Sequence, residues 1–295
     1  MDNNFILEDR LQKIRQVINS HGENLFYIAF SGGRDSCVLS KLVDLAIPNN
    51  KIPRVYVNTG IELNLMIDFV KELQKEDDRI IIQPKLPIKK MLEENGYPFK
   101  SKMHSNFVDK YQRKGFEYKS VRAYTEQELT LNNTKMFRPC PKKLKYQFTP
   151  DFNLRVSDKC CLKLKEEPMK QWAKDNGRKY PIMGIMASEG GRRYKAQCLV
   201  VKSGYIKAFQ PMAPLSNDWE NWFINEYNIK LCKLYYSPYN FTRTGCKGCP
   251  FALDLEKELD ILEQYFPNER KQCEIIWKPV YDEYRRINYR LKGEK

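Results

Sequence analysis

The amino-acid sequence predicts an α/β fold: a doubly wound, mostly parallel sheet with a basic insertion and a helical C-terminal region. Short apolar runs rich in β-branched and aromatic residues alternate with stretches whose apolar residues recur at helical spacing. Such alternation is typical of parallel strands joined by right-handed crossovers. Length is the second observation, because 295 residues can bury one large core or two modest ones.

The predicted elements follow one another in a regular order. An amphipathic helix over about 7–18 precedes a buried strand over 26–30. Next come a helix over 37–46, a strand over 54–59, a helix over 65–73, a strand over 80–82 and a helix that opens at 88. Later elements are a helix over 169–176, a core strand over 180–186, a helix over 218–227 with Asp218 as its cap, and a mostly helical, charged stretch from 253 onward.

Residues 96–158 interrupt this alternation. Their periodicity is poor and they are rich in basic and aromatic residues, which predicts an insertion or lid with some helix. Twelve Lys and Arg stand against four acids between Asn95 and Pro150, and the whole chain carries a formal net charge of +14. This charge suits a polyanionic partner, either nucleotide phosphates or a nucleic-acid acceptor bound by the insertion, although a solvated basic surface explains it equally well.

Composition places the chain among soluble globular proteins, with 42% hydrophobic and 30% charged residues. No apolar run approaches the roughly 20 residues of a membrane span. The first residues, Met-Asp-Asn-Asn, lack the basic and apolar regions of a signal peptide. These features predict a cytoplasmic protein with no membrane partner and leave its oligomeric state open.

A short glycine-containing stretch carries the first functional signal. Residues 31–36, Ser-Gly-Gly-Arg-Asp-Ser, lie between the first predicted strand and the helix that follows. The glycines allow a tight turn with uncovered N–H groups, and the helix adds free donors and the positive end of its dipole, so the stretch predicts a phosphate or pyrophosphate socket. Arg34 adds charge, and Asp35 and Ser36 can cap the helix or hold a hydrated metal ion. An ordinary strand–turn–helix corner is the alternative.

Four of the nine cysteines carry the second signal. Cys160 and Cys161 are adjacent, and Cys246 and Cys249 form a C-x-x-C pair. Such a pair suits zinc, a redox dithiol or an iron–sulfur site. Adjacent cysteines fit a cubane cluster, in which each can take a separate iron atom, better than two corners of one zinc ion. The isolated cysteines are predicted to be small buried residues: Cys37, Cys140, Cys198, Cys232 and Cys273.

Residues 31–36 resemble the SGGxDS pyrophosphate loop of the adenine nucleotide alpha hydrolase-like proteins, a group that includes N-type ATP pyrophosphatases and the phosphoadenosine phosphosulfate (PAPS) reductases. Cys160 and Cys161, followed by Lys165 and Pro168, resemble the "CC…K…P" signature of the cluster-containing reductases. Residues 245–250, Gly-Cys-Lys-Gly-Cys-Pro, resemble their "GCxxCP" segment. The PAPS reductase branch is therefore the closer match.

Three further segments match that family in the right order. Residues 57–62 resemble its "DTG.EF" strand end, residues 184–189 with Arg193 its "GIRxxES..R" segment, and residues 209–212 with Trp219 its "PL..W" segment. The resemblance spans roughly residues 26–251. It implies a PAPS reductase-like nucleotide-binding domain over 1–251, with its insertion at about 96–158, and a helical C-terminal extension over 252–295.

The resemblance also implies roles for individual residues. A 4Fe-4S cluster, with zinc as the less favoured occupant, would be held by Cys160, Cys161, Cys246 and Cys249. ATP with Mg²⁺, or the sulfonucleotide APS or PAPS, would be bound by Ser31, Gly32, Gly33, Arg34, Asp35, Ser36, Thr59, Gly60, Glu62, Gly184 and Glu189. The residues expected to act in catalysis are Asp35, Ser36 and Arg193.

The sequence departs from the family pattern in three places. Met186 stands where the family usually has arginine, and Gly190 where it often has serine. The Glu-Cys-Gly segment that carries the nucleophile of sulfonucleotide reductases has no counterpart, and Cys273 lies in a helical pattern with poor access for an attacking thiolate. These departures favour chemistry other than sulfonucleotide reduction.

Three functional hypotheses follow. The leading one is an ATP pyrophosphatase that adenylates an acceptor and transfers sulfur with the help of a 4Fe-4S cluster. The second keeps the fold but reduces APS or PAPS. The third is a nucleotide-responsive protein that binds nucleic acid through its basic insertion.

Overall fold

The computed structural model describes residues 2–77, 79–82, 87–126, 128–130, 132–136, 138–202 and 205–292. Across these residues, none of the helices combines the length and the apolar character needed to span a lipid bilayer. The chain forms two compact units. The first comprises Met1–Gln83 and Glu167–Thr244, and the second comprises Pro84–Glu166 and Gly245–Lys295.

The strands and helices are numbered along the chain. The strands are β1 (Phe26–Phe30), β2 (Arg54–Val57), β3 (Arg79–Ile82), β4 (Tyr180–Ile182), β5 (Leu199–Lys202) and β6 (Tyr205–Phe209). The α-helices are α1 (Asn3–His21), α2 (Arg34–Ala46), α3 (Asn64–Glu76), α4 (Ile88–Asn95), α5 (Lys102–Lys114), α6 (Lys119–Thr125), α7 (Glu167–Asp175), α8 (Asn217–Glu226), α9 (Leu255–Tyr265) and α10 (Pro267–Arg286).

The first unit contains a six-stranded sheet in the order β3-β2-β1-β4-β6-β5. All neighbouring pairs are parallel except β5 and β6, which are antiparallel. The prediction of a mostly parallel α/β sheet is confirmed. The chain runs outward from β1 to β2 and β3, then returns to place β4 on the other side of β1. This reversal makes the carboxyl ends of β1 and β4 a switch point, where such sheets bind ligands.

The sequence builds the centre of this sheet from residues that strands and buried helix faces prefer. Phe26, Ile28 and Phe30 of β1 are almost entirely buried. The apolar residues of α2 recur at helical spacing, and Leu39 and Leu42 on that stripe are fully buried. A rigid strand and a rigid helix thus hold the turn that joins them.

Three details of the first unit differ from the sequence prediction. The β5–β6 hairpin was not predicted, because its strands lie at the sheet edge and expose side chains such as Val201 and Tyr205. Strand β4 ends at Ile182 rather than 186. Helix α8 is capped by Ser216, whose hydroxyl accepts a hydrogen bond from Trp219 N at 3.2 Å, and not by Asp218, which lies in the first turn.

The second unit is helical and contains the whole predicted insertion. Ser101 caps α5 by accepting from His104 N at 3.2 Å. The His104 ring is fully buried, with Nδ1 2.9 Å from the Tyr124 hydroxyl and Nε2 2.7 Å from Gln147 Oε1. Burial lowers the pKa of His104 to about 4, so its ring is neutral at neutral pH. The insertion therefore has a packed polar core of its own.

The predicted domain boundaries, 1–251 and 252–295, stay a prediction. The two compact units divide the chain at different places, since the second unit joins the whole predicted insertion to the C-terminal helices. Compactness and the extent of a family domain are separate properties, so neither division replaces the other.

Candidate functional site

The loop between β1 and α2 has the backbone of a phosphate socket. Gly32 has φ +71°, and a Cβ there would lie 2.6 Å from Met66 Sδ. Gly33 is the N-cap of α2, and a Cβ on it would crowd the Ser31 and Tyr235 hydroxyls. A side chain at position 32 would strain the backbone and collide with Met66, so the loop requires glycine there. The start of α2 consequently lies near the switch point.

Two hydroxyl groups fix the shape of this loop. Ser36 Oγ donates to Gly33 O at 2.8 Å and accepts from Ser31 N at 3.3 Å. Ser31 Oγ donates to Ser36 Oγ at 3.2 Å and accepts from Gly33 N at 3.3 Å. The loop is therefore preorganised by its own residues, and Ser36 is one of its two internal braces.

The contacts of Arg34 reach two other segments of the first unit. Its Nε donates to Glu220 Oε2 on α8 at 2.9 Å, and its guanidinium also donates to Asn221 Oδ1. Its backbone N–H donates to the Tyr235 hydroxyl at 3.1 Å, which lies 2.7 Å from Thr244 Oγ1. Arg34 thus ties the loop to α8 while its predicted role toward phosphate stays a prediction.

Two carboxyl groups, partly buried Asp35 and buried Glu220, interact with each other beside the loop. Burial and the charge of Glu189 raise the pKa of Asp35, while Arg193 and Arg243 oppose that shift. Burial and the charge of Asp35 raise the pKa of Glu220 to about 7. Within the described part of the chain, Glu220 Oε1 has no hydrogen-bond partner. Both carboxyl groups thus have pKa values above the ordinary range, and each raises that of the other.

A group of one acid and two arginines follows β4. Glu189 Oε1 accepts from Arg193, and Glu189 Oε2 accepts from Arg243 Nη2 at 2.7 Å. A Cβ on Gly184 would lie 2.8 Å from Asp35 O, so this segment packs directly on the first turn of α2. The two cations are partly exposed beside Asp35, where they can balance charge on a bound phosphate.

The third predicted segment follows β2. The buried Glu62 carboxylate accepts from Thr59 N at 3.1 Å and from Thr59 Oγ1 at 2.8 and 2.9 Å. Gly60 is exposed, with φ +76° and its N–H donating to Asn58 Oδ1. In these contacts Glu62 shapes the turn, and its predicted contact with nucleotide stays a prediction.

Sequence reasoning missed Glu220, Tyr235 and Arg243. Glu220 lies on the buried face of α8, which also carries Trp219 and Phe223, and an acid among such apolar residues is the one signal in the sequence. No pattern marks Tyr235 or Arg243, because chain folding alone brings them to the loop.

The predicted cysteine tetrad is gathered in the second unit. Cys160 is buried and hydrogen-bonded to Cys161, and the charges of Cys161, Cys249 and Cys246 contribute to its raised pKa. The hydrogen bond with Cys160 lowers the pKa of Cys161 to about 6, with help from Lys102 and Lys165. The four thiols therefore interact with one another, and one of them is readily ionised.

The donor chemistry of this tetrad suits iron and sulfide. Thiolates are soft ligands that select iron–sulfur clusters or zinc, and four are available here. Among the described residues, no group of three or more His, Cys, Asp or Glu side chains is arranged to hold a metal ion. The predicted cluster therefore rests on the donor set and belongs to the proposal below.

Two C-terminal helices shape the C-x-x-C loop. Gly248 has φ +59°, and a Cβ there would lie 2.4 Å from the Tyr281 hydroxyl. Its N–H donates to Glu258 Oε1 at 3.0 Å, and its carbonyl accepts from Tyr281. Burial raises the pKa of Glu258 to about 7. Tyr284 on α10 donates to Pro250 O at 2.8 Å.

The lysine inside the C-x-x-C loop is buried as well. Lys247 Nζ lies 3.1 Å from Glu269 Oε2 and donates to Gln272 Oε1 at 2.7 Å. The Lys247 carbonyl accepts from Trp277 Nε1 at 3.0 Å. The backbone between Cys246 and Cys249 is thus fixed by contacts from α9 and α10.

The isolated cysteines fit the prediction of small buried residues with one exception. Cys273 is fully buried on α10, packs near Gly248, and has a pKa that burial raises to about 12. Cys198 is only half-buried. Burial explains why Cys273 is a poor nucleophile.

The chain belongs to the phosphoadenosine phosphosulfate reductase domain family, which it matches over residues 26–114 and 107–252. The loop at the switch point and the order of the motifs agree with this assignment, and the family prediction is confirmed. An uncharacterized protein of Methanocaldococcus jannaschii is 25% identical over 257 residues. The match covers 86% of this chain and 48% of that protein, so the chain spans about half the length of its curated relative.

Two solved structures are among those similar to the chain. A phosphoadenylyl-sulfate reductase from Candida auris is 12% identical with a TM-score of 0.40, over 76% of this chain and 88% of the other. The U34-tRNA thiolase NcsA from Methanococcus maripaludis, solved with its 4Fe-4S cluster, is 13% identical with a TM-score of 0.41, over 94% of this chain and 80% of the other.

Proposed function

We propose that the protein is an ATP pyrophosphatase that adenylates an acceptor and then transfers sulfur to it. The observation that carries the proposal is the preorganised loop of residues 31–36 at the switch point of the sheet. Its glycines allow a tight turn at the start of α2, and its hydroxyls brace it without a ligand. Such a socket suits the β- and γ-phosphates of a nucleotide.

The adenylation step balances without a redox partner. An acceptor oxygen attacks the α-phosphorus of ATP, a new P–O bond forms, and the bond to the bridging oxygen breaks. Pyrophosphate leaves with the electron pair, and the acceptor's proton passes to solvent. Arg193 and Arg243, both held by Glu189, would stabilise the charge that develops on the phosphates. Asp35 would hold the hydrated Mg²⁺ that accompanies ATP.

In the second step, hydrosulfide attacks the activated carbon of the acceptor. A C–S bond forms, the C–O bond breaks, and AMP departs with the electron pair. The tetrad of Cys160, Cys161, Cys246 and Cys249 would hold a 4Fe-4S cluster with one thiolate on each iron, so such sulfur could bind an iron atom only in exchange for one of the four thiolates. The low pKa of Cys161 supports thiolate ligation at neutral pH.

Reduction of APS or PAPS is the alternative within the same family. It requires an accessible thiol that attacks the sulfonucleotide sulfur. Cys273, the cysteine that follows Cys249 in the sequence, is fully buried, and its pKa is raised. This favours ATP as the substrate.

Competitive binding of ATP, APS and PAPS to anaerobically purified protein tests the proposal. We expect ATP to bind most tightly and the Asp35→Ala variant to lose pyrophosphate release, whereas Asp218→Ala, on exposed α8 surface, retains it. Iron and acid-labile sulfide analysis of the same sample tests the tetrad. Preference for a sulfonucleotide with thiol-dependent sulfite release would overturn adenylation in favour of the reductase.

A further inference from the structure

Three cationic side chains gather around Cys140 in the second unit. Lys100 and Lys145 both act electrostatically on the Cys140 thiol, and Arg290 acts on Lys100. Other cations of this unit pair with carboxylates, namely Arg113, Lys114, Arg122 and Lys159. In the described ranges, no salt bridge involves Lys100, Lys145 or Arg290.

Two of these residues are anchored at the end of the C-x-x-C loop, Lys100 through its backbone and Arg290 through its guanidinium. The Tyr284 hydroxyl accepts from Lys100 N at 2.7 Å and donates to Pro250 O at 2.8 Å. The Arg290 guanidinium also donates to Pro250 O. Since Pro250 directly follows Cys249, the Arg290 guanidinium and the Lys100 backbone lie beside the C-x-x-C loop.

Lys100 and Arg290 have an unusual backbone conformation. Lys100 has φ +59° and Arg290 has φ +63°, a left-handed conformation that residues with a side chain seldom adopt. Outliers of this kind cluster at binding sites, where surrounding contacts maintain them. Helix α5 starts two residues after Lys100, so the positive end of its dipole adds to the same region.

The positive charges of this group act on one another. Burial lowers the pKa of Lys100, and the charges of Arg290 and Arg138 lower it further. Burial raises the pKa of the Cys140 thiol to about 11, so it stays neutral at neutral pH and cannot balance the cations. An anion bound among them would relieve the repulsion.

We infer that Lys100, Lys145 and Arg290 form a binding site for a phosphate group beside the cysteine tetrad. A planar guanidinium can bind two oxygens of one phosphate, and the two ammonium groups add charge without fixed direction. A nucleic-acid backbone and a free phosphate share this chemistry. The idea that the bound phosphate belongs to the molecule that accepts sulfur rests on the proposed function. The existence of the phosphate site does not depend on that function.

The test is binding of a labelled single-stranded RNA oligonucleotide, by fluorescence anisotropy across a salt series, and of inorganic phosphate, by calorimetry. The variant is Lys100→Gln/Arg290→Gln. The matched control is Lys89→Gln/Lys278→Gln, which removes the same charge from exposed positions of the same unit. Arg290→Lys serves as the conservative variant, and thermal melts verify that every variant is folded.

We expect the double variant to bind RNA at least about tenfold more weakly than the wild type. The slope of log K against log salt should become shallower by about 1.4, because each of the two lost phosphate contacts contributes about 0.7. The control should match the wild type, and Arg290→Lys should retain most of the affinity. If the double variant lost the heat of phosphate binding but bound RNA as the wild type does, the site would be supported, and its ligand would be a small phosphate compound.

Unchanged binding of both probes in the double variant, or an equal loss in the control, would overturn the site. The phosphate-binding loop of the first unit is intact in all variants, so its contribution to calorimetry cancels in the comparison. Neither assay depends on ATP turnover or on an assembled cluster. Failure of this inference is therefore distinguishable from failure of the proposed adenylation.

Discussion

The loop of residues 31–36 and the C-x-x-C loop of residues 246–249 are built in opposite ways. In the first, Ser31 and Ser36 brace the backbone of the same six-residue stretch. In the second, the braces are Glu258, Trp277 and other side chains of α9 and α10. The first loop thus has braces within its own sequence beside its contacts with distant residues, whereas the C-x-x-C loop depends on distant helices.

The glycines of the two loops show the same contrast. Gly32 and Gly248 both have positive φ, and neither has room for a Cβ. The neighbour of Gly32 is flexible Met66, whereas Gly248 lies against the Tyr281 hydroxyl and Cys273 of α10. Changes to α10 should therefore disturb the thiols while leaving the phosphate loop intact.

The largest effect is expected from the buried Lys247–Glu269 pair. Glu269→Gln leaves the Lys247 ammonium, 2% exposed, without its counterion. Removing one partner of a buried pair typically costs about 3–5 kcal/mol. We expect chemical denaturation to show a loss of this size, while nucleotide affinity below the melting transition stays within about twofold.

The double variant Lys247→Met/Glu269→Leu is the control for this prediction. It removes both charges and keeps similar volume, so most of the lost stability should return. A double variant as unstable as Glu269→Gln would mean that the packing of the two side chains, rather than their charge, stabilises the loop.

The next effect concerns the pH dependence of the insertion core. The pKa of His104 is about 4 in the folded protein, compared with 6.5 for a histidine in the unfolded chain. The unfolded chain therefore binds more protons between these values, so stability is fully present above about pH 6.5 and is lost as pH falls toward 4. The shift corresponds to about 3 kcal/mol.

Urea denaturation at several pH values between 4 and 7 measures this loss. His104→Gln keeps groups that can bond to Tyr124 and Gln147 but cannot be protonated, so its stability should vary less over the same range. Equal pH dependence in wild type and variant would assign the loss to other titrating groups.

A smaller effect is expected from the glycine of the phosphate loop. Gly32→Ala adds a Cβ at positive φ and within 2.6 Å of Met66 Sδ, so nucleotide affinity should fall at least about tenfold. Gly177→Ala is the matched control, because Gly177 also has positive φ but no atom within 4 Å of the added Cβ and lies outside the predicted nucleotide site. Isothermal titration with ATP should show that only the crowded position loses affinity; an equal loss at both would assign the effect to backbone strain alone.

These contrasts explain what the sequence could predict. The parallel sheet and the loop of residues 31–36 follow from local apolar periodicity and from glycines next to a helix start. The β5–β6 hairpin carried no such signal, since its exposed edge strands bury little. The cap of α8 was misassigned because Ser216 and Asp218 both suit that position and the local pattern does not separate them.

The site residues that were missed have a common physical cause. Glu220 lies far along the chain from Asp35, yet their carboxyl groups interact in the folded chain. The same holds for Arg243, which meets Glu189 only after chain folding. A motif identifies groups that are close in sequence, whereas pairings between distant segments depend on the packed structure.

The smallest effect, and the most specific to the cysteines, is expected from Tyr281→Phe. This change removes only the hydroxyl that donates to the Gly248 carbonyl, at a cost of about 1–3 kcal/mol because a buried acceptor is left unpaired. The loop should open more often, so Cys246 and Cys249 should be alkylated several-fold faster in the protein freed of metal. Tyr265→Phe, an exposed tyrosine on α9, is the control and should leave alkylation unchanged. If Tyr281→Phe lowered stability without changing thiol reactivity, α10 would support the fold of the second unit but not the geometry of the C-x-x-C loop.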